Sequence, residues 1–274
     1  MHGVTQPSGV AAGALRVLSR GALMLIGFVV LVVPQALWRL ARPGGTQGPL
    51  PRLIHWLLCR VVGLRVQVVG QPVFGGVSAW VGNHLSYLDV PVLGSLGRMR
   101  FVAKQEVAGW PLFGWLAGLQ CTVYVGRRAR DAGVAIERFA EALAAGGVVV
   151  LFAEGTSSDG SAVRPFRPSM LQALMAPIRL GATTRESAVQ AFTLRLQAVD
   201  GRAADQPWIR DLYAYHGDAV LMPHLKRFLR LRGARLQVVF HPPVAPSGFP
   251  DRRALAAHLQ GQVEWGLAHG TPAA

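Results

Sequence analysis

VVVLFAEGTSSDG, residues 148–160, is the stretch from which the fold can be read. Its first five residues carry no polar atom, the pattern of a strand buried on both faces, and the chain then turns on Glu154, Gly155 and Thr156. A carboxylate immediately after such a strand lies at the carboxyl edge of a sheet, where open α/β folds place ligands. A plainer reading stands beside it: Glu154 and Thr156 as an ordinary turn and helix cap, with Ser157, Ser158 and Asp159 as solvated loop residues.

Working outward, β-rich runs at residues 77–81, 100–103, 122–125, 148–152, 189–196 and 236–240 alternate with helical patterns. Residues 129–145 read as an amphipathic helix stopped by Gly146-Gly147, and 168–180, 221–231 and 252–267 as further helices. The order predicts an α/β fold: a single domain, residues 65–274, with a central mixed sheet flanked by helices. Residues 1–64 form a separate N-terminal membrane-associated segment, a helix or helical hairpin.

That segment contains GALMLIGFVVLVVPQALW, residues 21–38, about the length at which an apolar helix can cross a bilayer. It lacks a small-x-small cleavage site and continues into Arg39 and Arg42, which argues against a signal peptide. Arg16 and Arg20 precede it and Arg39, Arg42 and Arg52 follow, so the positive-inside rule assigns no orientation. Symmetric flanks suit a segment that dips in and returns: Pro34 would kink the helix, and residues 53–64, with Trp56 at the interface, would complete a hairpin. A buried core helix is the alternative.

Composition agrees with contact to lipid: 51% of residues are hydrophobic and 15% charged. The net charge of +14 would draw the chain to nucleic acid, to anionic headgroups of a membrane surface, or to an acidic carrier. The basic residues are scattered and no nucleic-acid module is visible, so no nucleic-acid partner is expected. Cys59 and Cys121 have neither CxxC nor Cys/His spacing, so neither a disulfide framework nor a metal site is expected.

The second constellation is VGNHLSYLDV, residues 81–90, which sets His84 in a loop after an apolar strand with Asp89 five residues on. A carboxylate on one ring nitrogen fixes the tautomer and raises the basicity of the other, as a general base acting on an alcohol requires. Alone the match is weak, since eight histidines and eight aspartates produce such spacings by chance. Between the two blocks lie Lys104 and Glu106, and then Arg127 and Arg128 after another strand. Guanidinium groups there can clamp a phosphate or carboxylate bidentately, or form a solvated basic loop.

In this order the blocks resemble the lysophospholipid acyltransferases of the 1-acylglycerol-3-phosphate acyltransferase type. Asn83-His84 through Asp89 is similar to that family's NHxxxxD motif and residues 152–157 to its FPEGTRS motif. Residues 118–127 resemble the block that ends in arginine, and residues 189–192 stand where a valine-proline-valine block lies. The resemblance implies His84 as base, Asp89 as its orienter, and Arg127, Glu154 and Gly155 as acceptor-binding groups. Asn83, Lys104 and Thr156 join them as expected substrate-binding residues.

Ala153, Ser157, Gly126 and Ala191 depart from the pattern, and the missing arginine at Ser157 removes one anion-binding group. Residues 157–171 and 213–225 look more like the bacterial branch that includes lyso-ornithine lipid acyltransferases. The implied reaction is acyl transfer from a thioester to the hydroxyl of 1-acylglycerol-3-phosphate, giving phosphatidic acid. Lyso-ornithine lipid is the alternative acceptor, and a non-catalytic lipid-binding relative a further one. No cofactor is expected; acyl-CoA or acyl carrier protein is the co-substrate and a membrane lipid the acceptor. The resemblance places the protein at a bacterial inner membrane with its site facing the cytoplasm. No G-x-S-x-G elbow is present, so direct transfer is expected without an acyl-enzyme.

Overall fold

The computed structural model describes residues 7–42, 48, 50–75, 77–110, 113–126, 132–180 and 183–273. Helix α1 (Pro7–Gly27) runs through a π-helical turn (Phe28–Val32) into α2 (Val33–Ala41), and α3 (Pro51–Val62) leads into β1 (Leu64–Val69). There follow β2 (Val77–Gly82), α4 (Asp89–Gly94), β3 (Met99–Lys104), α5 (Phe113–Leu119), β4 (Val123–Val125), α6 (Ala132–Ala144) and β5 (Gly147–Phe152). A 3-10 turn (Pro168–Leu174) precedes the hairpin of β6 (Ile178–Leu180) and β7 (Thr183–Arg185). The chain continues through β8 (Ala188–Val199), β9 (Arg202–Ala203), α7 (Pro207–Arg210), α8 (Leu221–Arg230), β10 (Ala234–Val244) and α9 (Arg252–His269).

Among the described residues the main sheet runs β1-β10-β8-β2-β5-β3-β4, with β9 on the edge of β8. Strands β8, β2, β5, β3 and β4 are parallel, whereas β10 is antiparallel to β8 and carries β1 parallel to itself. The sheet is therefore mixed, and its parallel part needs cover on both faces. Alternation along β5 supplies it. Val148, Val150 and Phe152 join Trp80, Phe192 and Phe240 in one core, with Val92 and Leu93 of α4 and Phe228 of α8. Val149, Leu151 and Ala153 join Val81, Val189 and Ala191 in the other, with Leu143 of α6 and Leu259 and Val263 of α9.

The six strands expected from sequence all appear. Residues 168–180 differ: the expected helix is a seven-residue 3-10 helix followed by β6, and Pro177 bars its continuation because it cannot supply a helical N–H and pushes Ala176 out of helical conformation.

The N-terminal helix is fastened to the domain along its length. Arg16 donates to Arg230 O, and Arg20 to the carbonyls of Leu229, Leu231 and Arg232 at 2.7–3.1 Å. Those are carbonyls at the C-terminal end of α8, otherwise without helical partners. Farther on, the Phe28 ring lies 5.9 Å from Trp115 and Gln35 donates to Leu119 O. The π turn sits just ahead of Pro34, whose missing N–H and ring crowd the preceding turn. The opposite side, with Leu15, Leu18, Leu25, Ile26, Val30 and Leu37, is exposed. The stretch Ala11–Ala41 is long and apolar enough to cross a membrane.

Candidate active site

β2 and β5 are neighbours in register, Gly82 opposite Phe152, so the residues two positions beyond each strand end, His84 and Glu154, emerge side by side. A Cβ on Gly82 would run into the carbonyl oxygen of Phe192, which is why a glycine closes β2 where it passes β8. Asn83 follows, 1% exposed, its amide donating to Leu194 O at 2.9 Å and accepting from Leu194 N at 2.7 Å. Both ends of that amide are engaged with β8, so Asn83 holds the loop against that strand.

The ring of His84 stacks on Phe152 with centroids 3.9 Å apart and planes at 17°. Its Nδ1 is 2.8 Å from Asp89 Oδ2. Asp89 opens α4 and is fully buried. The same Oδ2 accepts from the N–H groups of Leu85 at 2.7 Å and Ser86 at 2.9 Å, while Oδ1 accepts from the Tyr213 hydroxyl at 2.7 Å. Backbone N–H groups can only donate, so the Asp89 oxygens are the acceptors in these bonds. The proton between the pair then sits on His84 Nδ1. Nε2 keeps its lone pair, without a hydrogen-bond partner among the described residues.

Glu154, 2% exposed, accepts from His84 N through Oε2 at 3.1 Å and from Arg164 N through Oε1 at 2.8 Å. Burial raises its pKa, and the two backbone N–H groups together with the nearby His84 and Arg164 oppose that rise. The carboxylate thus joins the histidine loop to the segment after β5. Gly155 has φ +69°, the left-handed region that favours glycine. Ser158 N donates to His84 O at 2.9 Å, and the Ser157 hydroxyl donates to Tyr215 O.

Of the other expected residues, Lys104 ends β3 on the same sheet edge, half-buried, and Thr156 lines a cleft with Arg164 and Arg167. Arg127 and Arg128 lie outside the described residues. Tyr213 is the participant that motif reading missed. It lies 124 residues from Asp89 in sequence and is fully buried against it. The segment around it also pins the loop through Tyr215 N to Leu85 O at 2.9 Å. Tyr87 OH lies 3.0 Å from His224 Nδ1 of α8, a further tie.

Comparison with known proteins agrees with this geometry. Residues 74–183 match the family model described as Acyltransferase. The chain is 38% identical over 252 residues to a lyso-ornithine lipid O-acyltransferase of Brucella abortus, covering 92% of this chain and 93% of that one. It is 29% identical over 182 residues, 66% of each chain, to a 1-acyl-sn-glycerol-3-phosphate acyltransferase of Neisseria gonorrhoeae. In fold it resembles the crystal structure of the 1-acyl-sn-glycerophosphate acyltransferase of Thermotoga maritima, with a TM-score of 0.59 and 18% identity over 94% of this chain and 95% of that one. The histidine, carboxylate and glutamate brought together at the ends of β2 and β5 lie within the matched region, and the chain belongs to the acyltransferase family.

Proposed function

We propose that this acyltransferase moves a fatty acyl chain from a thioester, acyl-CoA or acyl carrier protein, onto the free hydroxyl of lyso-ornithine lipid. The carrying observation is the His84–Asp89 pair, in which one ring nitrogen is bound to a buried carboxylate and the other is left as a base. His84 Nε2 takes the proton of the acceptor hydroxyl as its oxygen bonds to the thioester carbonyl carbon. The C–S bond then breaks, and the departing thiolate takes the proton back from the imidazolium.

Two observations favour an amino-acid headgroup over glycerol phosphate, the acceptor that the motifs alone suggested first. The relative named for lyso-ornithine lipid matches 92% of this chain, the one named for glycerol phosphate 66%. Ser157 stands in place of an arginine and its hydroxyl is held by Tyr215 O, leaving one cation fewer for a phosphate dianion.

The lipid reaches the site from the membrane plane. A helix fastened at Arg16, Arg20, Phe28 and Gln35 lies along the domain, so its apolar outer side rests in the interface of a bacterial inner membrane, with the site on the cytoplasmic side. Trp38 under Arg42 and Trp56 under Arg60 are pairs suited to a headgroup layer.

The test is acylation of lyso-ornithine lipid and lysophosphatidic acid, offered side by side to membranes carrying the wild-type chain or His84→Ala. Labelled ornithine lipid from the wild type alone is the expected result. Labelled phosphatidic acid alone reassigns the acceptor, and no transfer to either makes lipid binding the surviving reading.

A further inference from the structure

We infer that the cleft beside Gly155, walled by Arg164 and Arg167, binds the carboxylate of the acceptor headgroup; this rests on the amino-acid lipid proposed above. The cleft has a volume of about 540 Å³, and Glu154, Thr156, Arg164, Phe166, Arg167 and Ser169 are among the residues that line it. That volume suits a headgroup. The cleft adjoins the catalytic ring through one side chain, since Glu154 holds His84 N on one oxygen and Arg164 N on the other.

The arginines project from a fixed backbone. Arg164 N is bound to Glu154, Arg167 N donates to Ala153 O at 2.9 Å, and between them buried Phe166 donates its N–H to Gln260 Oε1 at 2.9 Å. Pro165 and Pro168 follow the two arginines and restrict the backbone further. Arg167 lies against the Gly155 backbone: a Cβ there would come within 2.8 Å of its Nε, so the positive-φ glycine both turns the loop and admits the guanidinium.

Arg164 and Arg167 are exposed, and neither has a carboxylate within salt-bridge distance among the described residues, whereas nearby Arg210 is paired with Asp159 at 3.3 Å. Two guanidinium groups with Thr156 and Ser169 hydroxyls beside them match a planar carboxylate. Glu154 bonds backbone N–H groups through both oxygens and forms no ion pair with either arginine among the described residues.

Equilibrium binding without donor tests this on the full chain in detergent. The ligands are lyso-ornithine lipid and its carboxylate methyl ester; the proteins are wild type, Arg167→Ala, Arg167→Lys and Arg164→Ala/Arg167→Ala. Wild type is expected to bind the acid about tenfold or more tighter than the ester. Arg167→Lys keeps part of that preference and the double variant abolishes it, with the thermal midpoint unchanged. Equal binding of acid and ester by the wild type, or a preference that survives the double substitution, overturns the inference. So does a double variant in which acid binding is intact and only the KM for acyl-CoA rises, which assigns the cleft to donor phosphates. Binding needs no turnover, so a protein that binds the acid selectively but transfers nothing defeats the proposed reaction and leaves the cleft standing.

Discussion

His84, just beyond the end of β2, and His241, on β10 two strands away, are each held by hydrogen bonds in a mostly apolar setting, yet they are opposite kinds of residue. His241, on β10, has both ring nitrogens engaged: Nε2 lies 2.9 Å from Thr193 Oγ1, and Nδ1 accepts from Ala273 N at 2.9 Å. The Thr193 hydroxyl donates to Val263 O, so it is the ring N–H at Nε2 that donates to Thr193 and the imidazole is neutral. Burial pushes its pKa down to about 4. His84 is bound at Nδ1 alone. What separates the proposed base from the structural histidine, among the described residues, is one ring nitrogen left over and a buried carboxylate on the other.

The largest effect that tests this contrast is His84→Ala. Acyl transfer should fall by about 10³-fold or more, near the upper range for removal of a general base. The thermal midpoint should stay close to that of the wild type, because Asp89 keeps its two N–H donors and Tyr213. His241→Ala should do the reverse, lowering the midpoint while kcat in the surviving folded protein stays within a few-fold. If His241→Ala silences a stably folded enzyme, the distinction between the two histidines fails.

Asp89→Asn is next. An amide presents N–H donors as well as an acceptor, so it meets four protein donors with half the acceptor capacity, and it no longer fixes the proton on His84 Nδ1. The expected loss in kcat is about 10²- to 10³-fold, by analogy with carboxylates that orient a catalytic imidazole. A stability cost of about 1–3 kcal/mol accompanies it, read by denaturant titration.

Tyr213→Phe is smaller and more discriminating. Removing one hydrogen bond from Oδ1 loosens the carboxylate that holds the His84 ring. The kcat should therefore fall about tenfold, the size of one hydrogen bond to a charged group, with KM little changed. Loss of packing alone would lower the amount of active enzyme and leave kcat per folded molecule where it was.

Both motif loops were legible because they are local: an apolar run, then a short polar sequence at a strand end, as in residues 81–89 and 148–157. Tyr213 was not, since its partner is Asp89 and nothing in the spacing of residues 124 apart connects them. Asn83 and Glu154 were recognised by type, while their partners, the backbones of β8 and of Arg164, depend on strand register and loop path. β1 escaped notice because its sequence, LRVQVV, alternates weakly beside an apolar helix and pairs with β10, far along the chain. Residues 168–174 show the same limit from the other side: their apolar spacing suits a longer helix, and Pro177 stops it after Leu174.

The last prediction uses acid as the probe and falls on His241. Its folded-state pKa is depressed from 6.5 to about 4. Below the unfolded value the unfolded chain binds the proton first, so the stability that neutral His241 contributes is complete above pH 6.5 and drains away as pH falls toward 4. Over that window the loss is on the order of 3 kcal/mol. Protonating Nδ1 would set its new N–H against the Ala273 N–H, which identifies the contact that opens: the C-terminal residues beyond α9 should come away from β10 first. Unfolding of the wild type and of His241→Gln at pH 7 and pH 4.5 measures it. The glutamine variant starts less stable and should lose less between the two pH values, and hydrogen exchange at Ala273 should rise in the wild type alone. Equal losses in the two proteins would place the acid sensitivity elsewhere and leave His241 a neutral packing residue at every pH tested.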